Sequence, residues 1–264
     1  MASTKSCGRP NSRSHGRPIR YAVLSDVHAN RQALRAVLDD ATAEGARSVL
    51  CLGDLVGYGA EPGACVDTVA ERAVAVVGGN HEHGAAGLMS LDWFNPAARA
   101  AALWTRDQLS TATLEWLGSR PLTATVDDAT LVHASPRRPE EWDYLLSATD
   151  GFEVFASFET RICFVGHSHR PAVWSLGSGG PDHEGRFAAW PVEVPLVDGR
   201  RYVINVGSVG QPRDRDPRAA YAIWDPEARR VSIRRVAYDH QAAGRCILAA
   251  GLPRVLAERL ASGS

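Results

Sequence analysis

Short apolar runs alternate with amphipathic stretches along the first third of the chain. Tyr21-Ala22-Val23-Leu24, Val49-Leu50-Cys51-Leu52 and Ala73-Val74-Ala75-Val76-Val77 each read as a buried strand. After the first, Leu34, Val37, Leu38 and Ala41 fall at helical spacing, and Gly45 supplies a helix end. After the second comes a glycine- and proline-containing loop, Val56 to Pro62, and then a short helix over 64–72. Three successive strand–helix units are therefore predicted.

The pattern then changes. Over 86–120, Trp93, Trp104 and Trp116 join Leu103, Leu109, Leu114 and Leu117 in amphipathic helical patterns, broken at Asn95-Pro96 and Gly118. This reads as a helical insertion beside a site, its tryptophans as core in preference to a base-stacking platform. A hairpin over 123–132 turns at Asp127-Asp128 and ends at His133. The loop 134–150 sets Arg137 and Arg138 beside Trp142 and Tyr144, as an anion-facing loop or as plain surface. A helix near 151–158 precedes the strand Arg161–Val165. Strands follow at 172–176, 187–194, 201–206, 219–224 and 230–237, with a Gly-Ser-rich hairpin tip at 177–185. A helical segment over 241–261 closes the chain, Pro253 suiting a second helix start.

Composition changes this picture little. With 264 residues, 45% hydrophobic and 22% charged, the chain can build one sizeable core. We expect a basic disordered tail over 1–18 and one domain over 19–264. Net charge of −1 gives no electrostatic case for nucleic acid or membrane, and no apolar run approaches the ~20 residues of a membrane span. Lys5 is the only lysine, which reads as a coding bias toward arginine. Cys7, Cys51, Cys65, Cys163 and Cys246 include no C-x-x-C pair, which favours a reducing, cytoplasmic setting.

The chemistry collects where strands end. Asp26 and His28 follow the first strand and Gly53-Asp54 the second. Gly78-Gly79-Asn80-His81-Glu82 follows the third, His133 ends the hairpin, and Gly166-His167-Ser168-His169 follows 161–165. In open α/β sheets ligands bind at such ends. In an extended backbone alternate side chains share a face, so Asp26 and His28 are expected to point the same way. Nitrogen and hard-oxygen donors without thiolates suit Mn, Fe, Ni, Co or Zn. Seven candidate ligands are too many for one ion and about right for two, and two ions clamp the oxygens of an in-line displacement at phosphorus.

Asp-x-His, Gly-Asp, Gly-Asn-His-Glu, a lone His and Gly-His-x-His, in this order, resemble the motifs of the calcineurin-like metallophosphoesterase superfamily. The later run Asn205-Val206-Gly207-Ser208-Val209-Gly210-Gln211-Pro212-Arg213 resembles a branch of small bacterial members. The resemblance implies an α/β fold: a four-layer α-β-β-α sandwich of two mixed sheets flanked by helices. It implies two divalent ions, Mn or Fe foremost. Asp26, His28 and His169 would hold one, Asn80, His133 and His167 the other, and Asp54 would bridge them. A metal-bridging hydroxide would attack phosphorus, and His81 would assist the leaving group. Asn30 would orient the first loop or the phosphate.

One departure bears on substrate. Protein-dephosphorylating relatives read Gly-Asp-x-Val-Asp-Arg-Gly in the second motif, where this chain has Gly57 and Tyr58 in place of the second Asp and the Arg. Tyr58, Arg137, Arg138 and Arg213 are the candidates to contact substrate instead. Fewer fixed cations favour the single charge of a diester, so the expected activity is a phosphodiesterase on a small or nucleotide-like phosphoester. A phosphomonoesterase or protein serine/threonine phosphatase is the second reading, and a non-catalytic scaffold the third. An oligomer is left open.

Overall fold

The computed structural model describes residues 19–264; the expected N-terminal tail lies outside them. Strand β1 (Tyr21–Leu24) is buried along its whole length. Helix α1 (Arg31–Ala43) buries Ala33, Leu34, Val37, Leu38 and Ala41 on one face. Its N-cap is Asn30, whose side chain accepts from Ala33 N–H at 3.1 Å, a contact worth about 1 kcal/mol. Then come β2 (Ser48–Cys51), α2 (Pro62–Arg72) and β3 (Ala73–Val76). Three helices follow: α3 (Asn80–Ala86), α4 (Pro96–Gln108) and α5 (Thr111–Gly118), the predicted 86–120 helices among them. The chain continues through β4 (Thr123–Val126), β5 (Ala129–Val132), α6 (Ala148–Glu153) and β6 (Ile162–Val165). Next are β7 (Ala172–Gly177), β8 (Gly180–Glu184), β9 (Val192–Pro195), β10 (Arg200–Asn205), β11 (Ala219–Asp225) and β12 (Arg230–Val236). Helices α7 (His240–Ala249) and α8 (Arg254–Ser262) finish it.

Two six-stranded mixed sheets form, in the orders β3-β2-β1-β11-β12-β9 and β4-β5-β6-β10-β7-β8. In the first, β1, β2 and β3 are parallel; in the second, β5, β6 and β10 are. The period of two along each strand builds the layers. Tyr21 and Val23 of β1 join Leu131, Phe164 and Ile204 of the other sheet in a shared inner core. Ala22 and Leu24 point the other way, onto the buried face of α1 and residues of α2. The outer face of the second sheet, Cys163, Val165 and Val203, packs on Val154 and Phe155. The result is the α-β-β-α sandwich, and it sets the parallel strand ends of both sheets side by side. No helix among the described residues is long and apolar enough to cross a membrane.

Several expectations change. The run 73–77 is not a buried strand: β3 is a sheet edge, and Val74 is 63% exposed. An apolar run alone does not distinguish a central strand from an edge. The supposed hairpin tip 177–185 contains β8, paired with β7, and the strand expected at 187–194 shrinks to β9. The helix near 151–158 starts earlier and ends as the 3₁₀ turn Val154–Ser157. Trp104 and Trp116 do pack against core clusters, but Trp93 is 86% exposed. It sits on a short 3₁₀ turn, Leu91–Trp93, which has no buried residue.

Candidate metal centre

The seven candidate ligands come together, all buried, at the adjoining strand ends. Asp26, His28 and His169 offer donor atoms within 4.8 Å of one another, as do Asp54, His133 and His167, and as do His28, Asp54 and His81.

The backbone makes this convergence by a route the alternation rule does not describe. Asp26, His28, Asp54, His167 and His169 all have positive φ, between 49° and 62°. Asp26 and His28 therefore meet through left-handed turns, not across an extended strand. Non-glycine residues in this region are uncommon and carry strain of order 1–3 kcal/mol each, and such residues cluster at functional sites. Hydrogen bonds between the loops hold them there: Asp26 N–H to Gly53 O (3.1 Å), His28 N–H to Asp54 O (2.9 Å) and Gly210 N–H to Asp26 O (2.8 Å).

Each imidazole is aimed. His28 Nδ1–H donates to Val56 O at 3.0 Å, His133 Nδ1–H to Leu52 O at 2.8 Å, and His169 Nδ1–H to Gln211 O. That leaves the Nε2 lone pair of all three pointing inward, the arrangement that metal-binding histidines use. His28 Nε2 lies 3.1 Å from His169 Nε2, and His133 Nε2 lies 3.1 Å from His167 Nδ1. Lone pairs so close have no favourable contact with each other, but the spacing matches neighbouring nitrogens each bonded at about 2.1 Å to one ion. Asp26 Oδ1 and Asn80 Oδ1 are buried without a hydrogen-bond partner. Asp26 Oδ2 accepts from His167 N–H at 3.0 Å, so only Oδ1 is spare. Asp54 Oδ1 accepts from His81 N–H at 2.9 Å. Asp54 Oδ2 lies 3.7 Å from His28 Nε2 and 3.3 Å from His133 Nε2, between the two clusters. Unpartnered buried oxygens and converging lone pairs fit divalent cations.

Two of the histidines carry the charge state that metal binding needs. Burial pushes His167 down to about 3 and His169 to about 4, so both are neutral, the metal-binding form. Burial works the same way on His133, but the Asp54 carboxylate outweighs it and raises His133 to about 9. Burial opposes the charge on Asp26 and Asp54 too. Histidines, with His169 foremost for Asp26 and His133 for Asp54, still hold both carboxyls well below their usual range. Burial also drives His81 well below an ordinary imidazole.

A family model described as a calcineurin-like phosphoesterase superfamily domain matches residues 19–229. The chain belongs to the calcineurin-like phosphoesterase superfamily. It is 39% identical over 246 residues to the uncharacterized protein MJ0912 of Methanocaldococcus jannaschii, covering 92% of this chain and 97% of that one. Its fold matches the crystal structure of a metallophosphoesterase from Sphaerobacter thermophilus with a TM-score of 0.81 and 41% identity, covering 94% of this chain and 100% of that one. The hypothetical protein PH1004 of Pyrococcus horikoshii shares the fold at 20% identity, with a TM-score of 0.73 over 93% and 99% of the two chains.

Around this superfamily site the chain has its own arrangement. Gly57, the position of the second acid in the motif expected of protein-dephosphorylating members, has φ 84°, and a Cβ there would collide with His81 Nδ1. The imidazole occupies the space beside the backbone, and its Nδ1 is buried without a partner. Tyr58 stands in the arginine's place, its ring 4.5 Å from those of both His28 and His81. A guanidinium arrives from elsewhere: Arg213 Nη2 donates to Tyr58 Oη at 3.1 Å and to Gln211 Oε1 at 3.0 Å. Asn30 has both ends of its amide engaged, accepting from Ala33 N–H and donating to Gly210 O at 2.8 Å. Arg137 faces Glu153 at 3.5 Å, and Arg138 faces Glu141 at 2.7 Å and Asp143 at 3.7 Å. These two arginines are matched by acids of their own neighbourhood.

Sequence reasoning missed the residues that hold the loops. Buried Glu82 accepts from the N–H groups of Asp54 (2.7 Å), Leu55 (2.7 Å), Val56 (3.3 Å) and Gly79 (2.8 Å). Burial and then the Asp54 charge push its carboxyl up to about 7, against the pull of those donors. The available signal was its place three residues after the Gly79 cap of α3, where a glutamate reaches back to free N–H groups. The Asn205–Arg213 run has a similar task. Asn205 donates to Gly166 O at 2.7 Å and Ser168 Oγ at 3.0 Å, and Ser208 Oγ–H to Asp26 O at 2.9 Å.

Proposed function

We propose that the protein is a dinuclear metal-dependent phosphodiesterase acting on a small or nucleotide-like phosphoester. The observation that carries this reading is the position of Asp54 Oδ2 between His28 Nε2 and His133 Nε2, one from each cluster. A carboxylate so placed would serve two cations at once. Asp26, His28 and His169 would hold one ion, Asn80, His133 and His167 the other, and Asp54 would contribute to both. When bound, such a pair supplies Lewis acidity toward the phosphoryl oxygens and acidifies water.

The chain's own groups do the rest. Neutral His81 donates a hydrogen bond to the leaving oxygen, its ring set by Gly57 and by the Tyr58 and Phe94 rings at 4.5 and 4.9 Å. Arg213, held by Tyr58 and Gln211, takes a non-bridging phosphate oxygen. Arg213 is the guanidinium fixed beside the centre, and one fixed cation suits the single charge of a diester.

The test is hydrolysis of bis-p-nitrophenyl phosphate against p-nitrophenyl phosphate by Mn-loaded protein, with and without chelator, alongside metal analysis. Chelator-sensitive turnover favouring the diester, with two ions per chain, is expected. Preference for the monoester would replace this reading with the phosphatase, and one ion per chain would remove the dinuclear centre. Two bound ions without turnover would point to the scaffold.

A further inference from the structure

The loop 134–150 and the 3₁₀ turn at Leu91–Trp93 enclose a cleft of about 590 Å³ beside the metal centre, within the size range of small-ligand pockets. Asn80 and His167, two of the candidate ligands, line it, so the cleft opens directly onto the site. Its walls are aromatic: Trp93, Phe94, Trp142 and Tyr144. Each packs by ring toward the centre or stands free toward solvent. Tyr144 stacks on His167 with centroids 4.0 Å apart and planes at 22°. Trp142 meets His133 edge-on at 6.0 Å, and Phe94 lies 4.9 Å from His81. Trp93 and Tyr144 remain 86% and 49% exposed.

A core role explains none of this exposure. The cleft's charged groups are Glu140 and Glu141; among the described residues no lysine or arginine lines it. The nearby Arg138 guanidinium is engaged by Glu141 at 2.7 Å. The acids repel a further phosphate or an acidic peptide. They accept hydrogen bonds from a neutral ring that carries N–H groups. Flat faces for stacking and carboxylates at the rim together describe a nucleobase.

We propose that this cleft is the nucleobase subsite of the substrate, which is therefore a nucleoside ester of phosphate. The proposal deepens the phosphodiesterase reading and rests on it for turnover, while the binding it requires is measurable without turnover. Trp93 and Tyr144 supply ring faces to the base, and Glu140 accepts from its amino group.

The experiment is calorimetric titration of the Mn-loaded protein with adenosine 5′-monophosphate and with ribose 5-phosphate, which share the phosphate and differ in the base. If either is hydrolysed, the ratio of KM values replaces the ratio of Kd values. On the order of tenfold tighter binding of the nucleotide is expected, the effect of one base–aromatic stack. Trp93→Ala should abolish that advantage and leave ribose 5-phosphate unchanged, and Trp93→Phe should keep most of it. Equal binding of the two, no binding of either, or equal weakening of both by Trp93→Ala overturns the subsite. So does a nucleotide preference untouched by Trp93→Ala while an oligomer falls to monomer, which would assign Trp93 to contact between copies. Thymidine 5′-p-nitrophenyl phosphate and methyl p-nitrophenyl phosphate separate the two claims. Turnover of both esters at equal kcat/KM with no nucleotide preference retains the hydrolase and sinks the subsite. A nucleotide preference with no turnover of either retains the subsite and sinks the phosphodiesterase.

Discussion

The metal centre and the aromatic cleft share a wall and differ in almost every other respect. The first is buried and cross-linked by backbone hydrogen bonds through left-handed turns. The second is built from a 3₁₀ turn and a loop, with one tryptophan almost wholly in water. Chemistry that demands fixed donor geometry is placed on strand ends of two sheets, where strain can be held. Choice of substrate is left to segments whose side chains change without disturbing those ends. Changes in the first region should therefore abolish or slow every reaction alike, and changes in the second should alter only the ranking of substrates.

Four substitutions test that division, from the largest effect down. Asp54→Ala removes the group between the clusters and should take both metal content and activity to background. Retention of either, by metal analysis or diester hydrolysis, would break the bridging assignment. His81→Ala should lower kcat about 10²- to 10³-fold, the range for losing one hydrogen-bond donor to a developing oxyanion, while metal analysis stays at the wild-type value. A fall in metal content would make His81 a ligand, in keeping with its place beside His28 and Asp54. Glu82→Gln keeps the size of the side chain but weakens its hold on four N–H groups. Metal affinity, read by competition with a chelating dye, should fall about 10- to 100-fold, as for other supports of metal ligands. Gly57→Ala strains the loop at φ 84° and should displace the His81 ring, lowering kcat by about tenfold or more, the loss that a displaced hydrogen-bond donor entails, with metal content unchanged. An unchanged kcat would show that the ring needs no such support.

What could be seen in the sequence followed the same division. Asp26, His28, Asp54, Asn80, His133, His167 and His169 were legible because metal binding restricts the donor atoms and repeats them at strand ends. The layers were legible because Tyr21 and Val23 alternate with Ala22 and Leu24. The left-handed turns were not, since nothing in Asp-x-His specifies φ, and the alternation rule brought Asp26 and His28 together for the wrong geometric reason. Val74 was misjudged because strand order, unlike strand identity, depends on partners far along the chain. Trp93 was misjudged because amphipathic spacing counts apolar residues and does not say what lies opposite them. The tie from Arg213 to Tyr58, 155 residues apart, was reachable only as one of several candidate cations.

The end of the chain also bears on the site. Tyr58 packs in one cluster with Ala243 and Ile247 of α7, Leu256 and Leu260 of α8, and Leu252 of the link between them. Gly263 O accepts from Arg215 N–H at 2.8 Å, two residues beyond Arg213. These helices lie past residue 229, where the superfamily match stops. A substitution in these helices, remote from every candidate ligand, should therefore loosen the Tyr58–Arg213 pair while the ligand loops keep their own hydrogen bonds.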